Sequence, residues 1–212
     1  MLDTHRNITL ACALSALAGY VDSIGYLHLG GLFVSFMSGN STRLGVSLAA
    51  AHWWDASAAL GLIVLFVVGA GFGSLIVRGR SRYCQCWLLL VEALLLAGAG
   101  LGHALGAHDD LAVAAIVLAM GLENAVFQIE GGSGLGLTYV TGALVKVGQL
   151  AASAITGGPR FAWLPNLMLW AALVAGGVGG ALAYRAINLA AIWFAAAVAL
   201  LLAVFAAVTA KR

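Results

Sequence analysis

Asp22, Arg43, Glu92, Glu123 and Lys146 are ionisable side chains that fall inside long apolar runs of this sequence. An ionisable group at membrane depth is costly, so each is a candidate for function with a partner to be named. Their spacing suggests the partners. Asp22 precedes Arg43 by 21 residues and Glu123 precedes Lys146 by 23, separations that suit facing positions on two adjacent helices. Two such charge couples could bind a polar solute or relay protons. They could equally be structural salt bridges, or basic side chains reaching for the headgroups. Glu92 has no matching acid in the second half of the chain; it reads as a proton site or as an interfacial residue close to Arg82.

Polar groups gather around the two bases. Ser35, Ser38, Asn40, Ser41 and Thr42 precede Arg43, and Thr138 and Thr141 precede Lys146. They could replace part of a solute's hydration shell. They could instead bond their own helix backbone and neighbouring helices, for about 0.6–2 kcal/mol each. At Gly39-Asn40 and Gly142 a helix could unwind and expose carbonyls. The substrate or ion pathway expected from these residues is Asp22, Ser38, Asn40, Arg43, Glu123, Asn124, Thr141 and Lys146. No catalytic constellation, metal-ligand spacing or cofactor motif is visible. The five histidines fall near the ends of apolar segments, and Cys12, Cys84 and Cys86 make no disulfide framework. Gly69, Gly71 and Gly73, and Gly176, Gly177, Gly179 and Gly180, read as close-packing faces. A nucleotide loop would need a preceding strand. The Gly131–Gly136 run reads as a flexible connection.

The elements that must position these groups are set by composition. Hydrophobic residues make up 63% of 212, charged residues 8%, and the mean hydropathy is +1.03. A soluble domain carries about 25% charged residues, so this is an all-α, polytopic helical membrane protein. A transmembrane barrel would alternate over short strands instead. A net charge of +2 argues against nucleic acid. Eight apolar segments can be drawn: Ile8–Leu29, Leu32–Ala51, Ala56–Val77, Trp87–Leu105, Leu111–Gln128, Leu137–Ile155, Asn166–Tyr184 and Ile187–Ala210. The first could pass for a signal peptide, but it belongs to a repeated unit and is expected to be retained. Both prolines, Pro159 and Pro165, are placed in one connection, Thr156 to Asn166. Trp53, Trp54, Trp87, Trp163 and Trp170 near segment ends read as an aromatic belt.

The chain echoes itself. Ser35 to Gly45 lies over Thr138 to Gly148 at an offset of 103, with Gly39/Gly142 and Gly45/Gly148 identical and Arg43/Lys146 conservative. Gly19 to Asp22 lies over Gly121 to Asn124 at 102, and Gly69 to Gly73 over Ala175 to Gly179 at 106. A single membrane domain, 1–212, is therefore expected to contain two repeats, about 1–106 and 107–212, as transporters often do.

Charge placement bears on topology, because Lys and Arg collect in cytoplasmic loops. Eight crossings distribute the loop cations four against four. If the second and sixth segments enter and return without crossing, Arg6, Arg78, Arg80, Arg82, Arg160, Lys211 and Arg212 share one side against Arg185 alone. Six spanning helices with two embedded partial helices and cytoplasmic termini are preferred, with eight spans as the alternative.

The residues also carry a resemblance. Ala18-Gly-Tyr-Val-Asp-Ser-Ile-Gly-Tyr26 followed by Phe33-Val-Ser-Phe-Met-Ser-Gly-Asn-Ser-Thr-Arg-Leu-Gly45 resembles the YoaK-like family of bacterial inner-membrane proteins (domain-of-unknown-function family 1275). In that family an AGYVDAIGFL-like stretch precedes a FVSFMTGN-like one. Gly121-Leu-Glu-Asn-Ala125 and Thr138-Tyr-Val-Thr-Gly142 resemble its second-half signature, which carries Gln where Glu123 stands here. The departure weakens a shared role for a second acid. The resemblance implies an integral membrane protein of unknown function and names no substrate or catalytic residue.

The leading expectation is a transporter or channel for a small polar solute or ion, with or without proton coupling, in the bacterial inner membrane; the alternative is a non-transporting scaffold or assembly partner. No enzyme activity and no cofactor are expected. The expected partners are the lipid bilayer and an unknown solute or ion; self-association into a homo-oligomer stays open.

Overall fold

The computed structural model describes residues 5–78, 83–126 and 140–210; Arg80, Arg82, the Gly131–Gly136 run, Thr138, Tyr139, Lys211 and Arg212 lie outside the described residues. The regular elements among the described residues are helical: α1 (His5–His28), α2 (Met37–Ala49), α3 (Trp53–Arg78), α4 (Cys84–Ala104), α5 (Asp109–Glu123), α6 (Val140–Ile155), α7 (Leu164–Ile187) and α8 (Ile192–Thr209). A 3-10 turn, Asn188–Ala191, joins the last two. Each apolar segment thus becomes one helix. The edges shift by up to five residues from the sequence reading, and two of the shifts have a local cause. The second helix begins at Met37, not Leu32, because the chain before it is occupied in a folded loop. Pro165 stands in the first turn of α7, where its missing N–H has no helical acceptor to lose.

Four stretches are long and apolar enough to cross a bilayer: Ile8–His28, Trp53–Arg78, Cys84–Ala104 and Leu164–Thr209, the last 46 residues long and containing α7 and α8. With 13 and 16 residues, α2 and α6 are about 20 and 24 Å long at 1.5 Å per residue. That is short of the roughly 30 Å hydrocarbon layer. The 15 residues of α5 continue into a hydrogen-bonded turn through Val126.

Close glycine contacts fix the helix directions. A Cβ on Gly176 or Gly180 of α7 would strike the carbonyl of Ala16 or Tyr20 on α1. The two numberings rise together, so α1 and α7 run parallel. In the same way Gly69 and Gly73 of α3 face the backbone of Leu118 and Leu122 on α5. Gly71 meets nothing among the described residues, so the packing face has a four-residue period, which keeps small residues on one side of a helix. Antiparallel α4 and α5 are joined by a short turn, and α8 lies against α4 with Trp193 over Gly100.

His28, at the end of α1, reaches Asp109, at the start of α5, at 3.7 Å. So α1 ends at the end of the bundle where α5 and its parallel neighbour α3 begin. Segment 29–52, between α1 and α3, leaves and returns at that same end. By the same directions α5 finishes, and α7 starts, at the opposite end.

The core sits between α1, α4, α5 and α8. Leu14, Val21 and Ile24, Leu88 and Leu96, Met120 and Ile192 are fully enclosed. On α8 the buried face is Ala195, Ala196, Ala199, Ala203 and Ala206, small side chains that let α4 approach. Large apolar residues such as Phe72, Leu201 and Val204 point outward, as a lipid-facing surface requires.

Candidate functional site

The loop between α1 and α2 is built by the residues that single themselves out in the sequence. Gly30 and Gly31 adopt φ of +62° and +103°, a region open to glycine, and they reverse the chain after α1. Returning, the chain meets Asp22. Its Oδ1 accepts the N–H of Val34 at 2.9 Å and of Ser35 at 2.7 Å, and its Oδ2 accepts the Ser35 hydroxyl at 2.7 Å. Asp22 lies six residues before the end of α1, so the loop dips about 9 Å below that end at 1.5 Å per residue. Buried backbone N–H groups need acceptors, and in this non-helical stretch Asp22 provides them.

Asn40 fastens the loop from the other side. Its Oδ1 accepts the Phe33 N–H at 2.9 Å while its Nδ2 donates to the Phe33 carbonyl at 2.7 Å. The Arg43 guanidinium donates to the Gly31 carbonyl at 2.7 Å. Phe33 packs on Tyr26 and Phe36, with ring centroids 5.1 and 5.3 Å apart. Gly39 is small because both Phe33 and Phe36 lie where its side chain would be. Gly39 therefore sits in the first turn of α2 as a packing residue, and Gly142 stands likewise in the first turn of α6. Neither marks an unwound helix; the irregular backbone lies ahead of α2.

The expected charge couples do not form. Asp22 takes neutral donors from the neighbouring loop, and Arg43 is occupied with Gly31. Among the described residues the ion pairs are His28–Asp109, His52–Asp55 and His103–Asp109. Lys146 is exposed on α6 while Glu123 is buried, so that pair is also absent. The physical reason is desolvation: a base on the outer face of a short helix keeps its charge accessible more cheaply than it could inside the core. Asn124, just past α5, donates to the Met120 carbonyl at 2.9 Å. Ser38 and Thr141 occupy the first turns of α2 and α6 and are exposed.

Instead the structure brings together acids. Glu92 on α4 and Glu123 on α5 are 0% and 1% exposed, and Glu123 is within electrostatic reach of both Glu92 and Asp22. Both oxygens of Glu92 and Oε1 of Glu123 have no hydrogen-bond partner among the described residues. Glu92 is thus a deep core residue and not an interfacial one.

A cavity of about 610 Å³ lies between α1, α6, α7 and the loop ahead of α2. Asp22, Ser23, Ser35 and Thr141 are its polar wall, and Tyr26, Phe36, Leu144 and Val174 contribute apolar surface. It brings Asp22 and Thr141, from the two halves of the sequence, to one space.

At the end of the bundle, ahead of the apolar run that begins at Leu111, is a cluster that sequence reasoning treated as separate interfacial histidines. His103 Nδ1 lies 2.9 Å from Asp109 Oδ1, His28 Nε2 3.7 Å from Asp109 Oδ2, and His28 Nδ1 3.2 Å from the Tyr184 hydroxyl. It ties the ends of α1, α4 and α7 to the start of α5. The His103 hydrogen bond, with the nearby His28 and His103 charges assisting, holds the Asp109 carboxyl below its ordinary range. A signal was present: in the six-span arrangement all these residues terminate segments on the same side.

The family profile described as "Protein of unknown function (DUF1275)" matches residues 10–205. The "UPF0700 transmembrane protein RA0705" of Rhizobium meliloti (strain 1021) is 37% identical over 197 residues, covering 92% of this chain and 84% of the relative. No solved structure matches the chain.

Proposed function

This chain belongs to the DUF1275 family of membrane proteins, and we propose that it carries a small polar solute or ion across the bacterial inner membrane between two inverted halves. The observation that carries the reading is the pattern of helix pairing. Exchanging α1 with α5, α2 with α6, α3 with α7 and α4 with α8 maps α1–α7 onto α3–α5, α2–α3 onto α6–α7 and α4–α5 onto α1–α8, all of which are packed pairs. The pair α4–α8 maps onto itself. Glycine contacts follow the same exchange: Gly69 with Leu118 answers Gly176 with Ala16, and Gly73 with Leu122 answers Gly180 with Tyr20. Their offset is 107, one more than the sequence alignment of these glycines suggests. Because α1 and α5 run in opposite directions, the two repeats are inverted.

On this reading α1, α3, α4, α5, α7 and α8 cross the bilayer, and α2 and α6 enter from opposite faces and turn back. Arg6, Arg78 and Arg160 then lie at the end where α1 begins and Arg185 at the other, which makes the termini cytoplasmic. Interrupted helices at the interface of inverted repeats are where secondary transporters bind their substrates. Irregular backbone is tolerated at membrane depth where protein or a wet cavity surrounds it. Asp22 and Asn40 hold the loop ahead of α2. Ser38 and Thr141, matching residues of the two half-helices, remain available to a solute.

The test is uptake into sealed vesicles containing the purified protein, run with labelled amino acids, sugars and small organic ions and with ion-current recording. Accumulation or current that falls in Thr141→Ala supports transport. Vesicles that match protein-free ones throughout would leave the scaffold reading, in which the same packing serves assembly.

A further inference from the structure

Glu92 and Glu123 are placed opposite one another by the α4–α5 hairpin. Glu92 lies 12 residues before the end of α4 at Ala104 and Glu123 lies 14 after the start of α5 at Asp109. At 1.5 Å per residue the depths below the turn are about 18 and 21 Å. Both side chains are enclosed, Glu92 completely. Both oxygens of Glu92 and one of Glu123 lack a donor among the described residues.

No described cation answers them. From α1 the ionisable groups are His5 and Arg6 in its first turn, Cys12, Tyr20 and Asp22 within the span and His28 at its end; Asp22 is already bonded by Val34 and Ser35, and Tyr20 donates to the Ala191 carbonyl at 3.0 Å. Asp55 and Arg78 occupy the first and last turns of α3. The other ionisable groups of α4 and α5 are Cys84, Cys86, His103, Asp109 and Asp110, all within a turn of a helix end, and α8 and the 3-10 turn carry none. Two neighbouring carboxylates without countercharge repel each other in a medium that cannot solvate them. One proton removes the repulsion, and as an O–H it donates to the facing carboxylate, giving a donor to oxygens that have none among the described residues.

We propose that Glu92 and Glu123 form a proton-binding site in which the two carboxyls share one proton. The pair then carries a single negative charge, and the proton passes between oxygens of the two side chains without a change in that total. A metal cation would need several further oxygen ligands, and the surrounding faces of α4, α5 and α8 supply Leu, Ala and Val. A role for this proton in driving solute movement rests on the transport reading above; its binding does not.

The experiment is infrared difference spectroscopy of the reconstituted full chain, titrated from mildly acidic to mildly alkaline buffer. A carbonyl band of a buried carboxylic acid is expected in the wild type, absent from Glu92→Gln/Glu123→Gln. Each single variant, having lost the sharing, is expected to titrate at a different pH from the wild type. Wild-type protein grown with carbon-13 glutamate, with Glu130→Gln as control because Glu130 is the remaining glutamate of the sequence, makes the assignment even if a variant fails to fold: the band must shift with the label and survive the control. The proposal is overturned by absence of the band, as two ionised carboxylates around a metal cation would give. An unshifted band in labelled protein, its loss in Glu130→Gln, its persistence in the double variant, or single variants that titrate as the wild type would also overturn it. A labelled band in protein that moves no solute would keep the site and remove the transport reading.

Discussion

Asp22 holds Ser35 by both ends: Oδ1 accepts its backbone N–H and Oδ2 its hydroxyl, each at 2.7 Å. An ionisable residue inside a span is here the acceptor that lets non-helical backbone sit below the end of α1. Asp22→Ala leaves the Val34 and Ser35 N–H groups without this acceptor. At about 1–3 kcal/mol for each, the expected loss is about 2–6 kcal/mol. Asp22→Asn keeps an oxygen for both and should cost about 1 kcal/mol. Thermal unfolding of the detergent-purified variants measures the difference, and equal stability of wild type and Asp22→Ala would show that the loop is held by something else.

The glycine faces make a contrasting set. Gly176→Ala and Gly180→Ala, and Gly69→Ala and Gly73→Ala, place a methyl group against the backbone of the facing helix. Overpacking of this kind costs about 1–3 kcal/mol. Gly71→Ala and Gly98→Ala meet open space and should be neutral, or stabilise by up to about 1 kcal/mol through helix propensity. The same unfolding assay ranks them; similar losses at Gly71 and Gly69 would contradict the four-residue period.

Asp109 predicts a pH dependence. Its carboxyl is held below the ordinary range, first by the His103 hydrogen bond. A group with a depressed folded pKa binds fewer protons folded than unfolded just above that pKa, so it stabilises at higher pH. The contribution is complete above the unfolded value of about 3.9 and is lost as pH falls through the lower folded value. Asp109 is exposed at the bundle end, so the effect is small. The difference in melting temperature between wild type and Asp109→Asn should be present near neutrality and shrink below about pH 4. A difference that grows as the carboxyl is protonated has the wrong sign for this account.

The proposed entry of α2 and α6 from opposite faces predicts opposite labelling. With Cys12, Cys84 and Cys86 replaced, a cysteine at Ser38 should react with an impermeant thiol reagent from the periplasmic side. One at Thr141 should react from the cytoplasmic side. Labelling of both from one side would exclude the inverted arrangement.

Much of this molecule is written locally. Apolar runs longer than a soluble helix needs fix an all-helical membrane protein, because no spanning structure in lipid leaves backbone groups unpaired. The polar character of the second segment marks it as unlike its neighbours, while its short helix, Met37–Ala49, emerges only in the structure. The motif residues from Phe33 to Arg43 are each legible as unusual, yet their tasks are not. Spacing alone pairs Asp22 with Arg43, since opposite charges 21 residues apart suit two facing helices. Only the folded chain shows that a reversal at Gly30 and Gly31 brings neutral donors to Asp22 first and turns Arg43 outward. In the same way Glu92 and Glu123 lie 31 residues apart, on segments whose rotation about their axes no uniformly apolar sequence specifies. Which faces meet is decided by packing between helices, where glycines set the approach, and that is a property of the whole bundle.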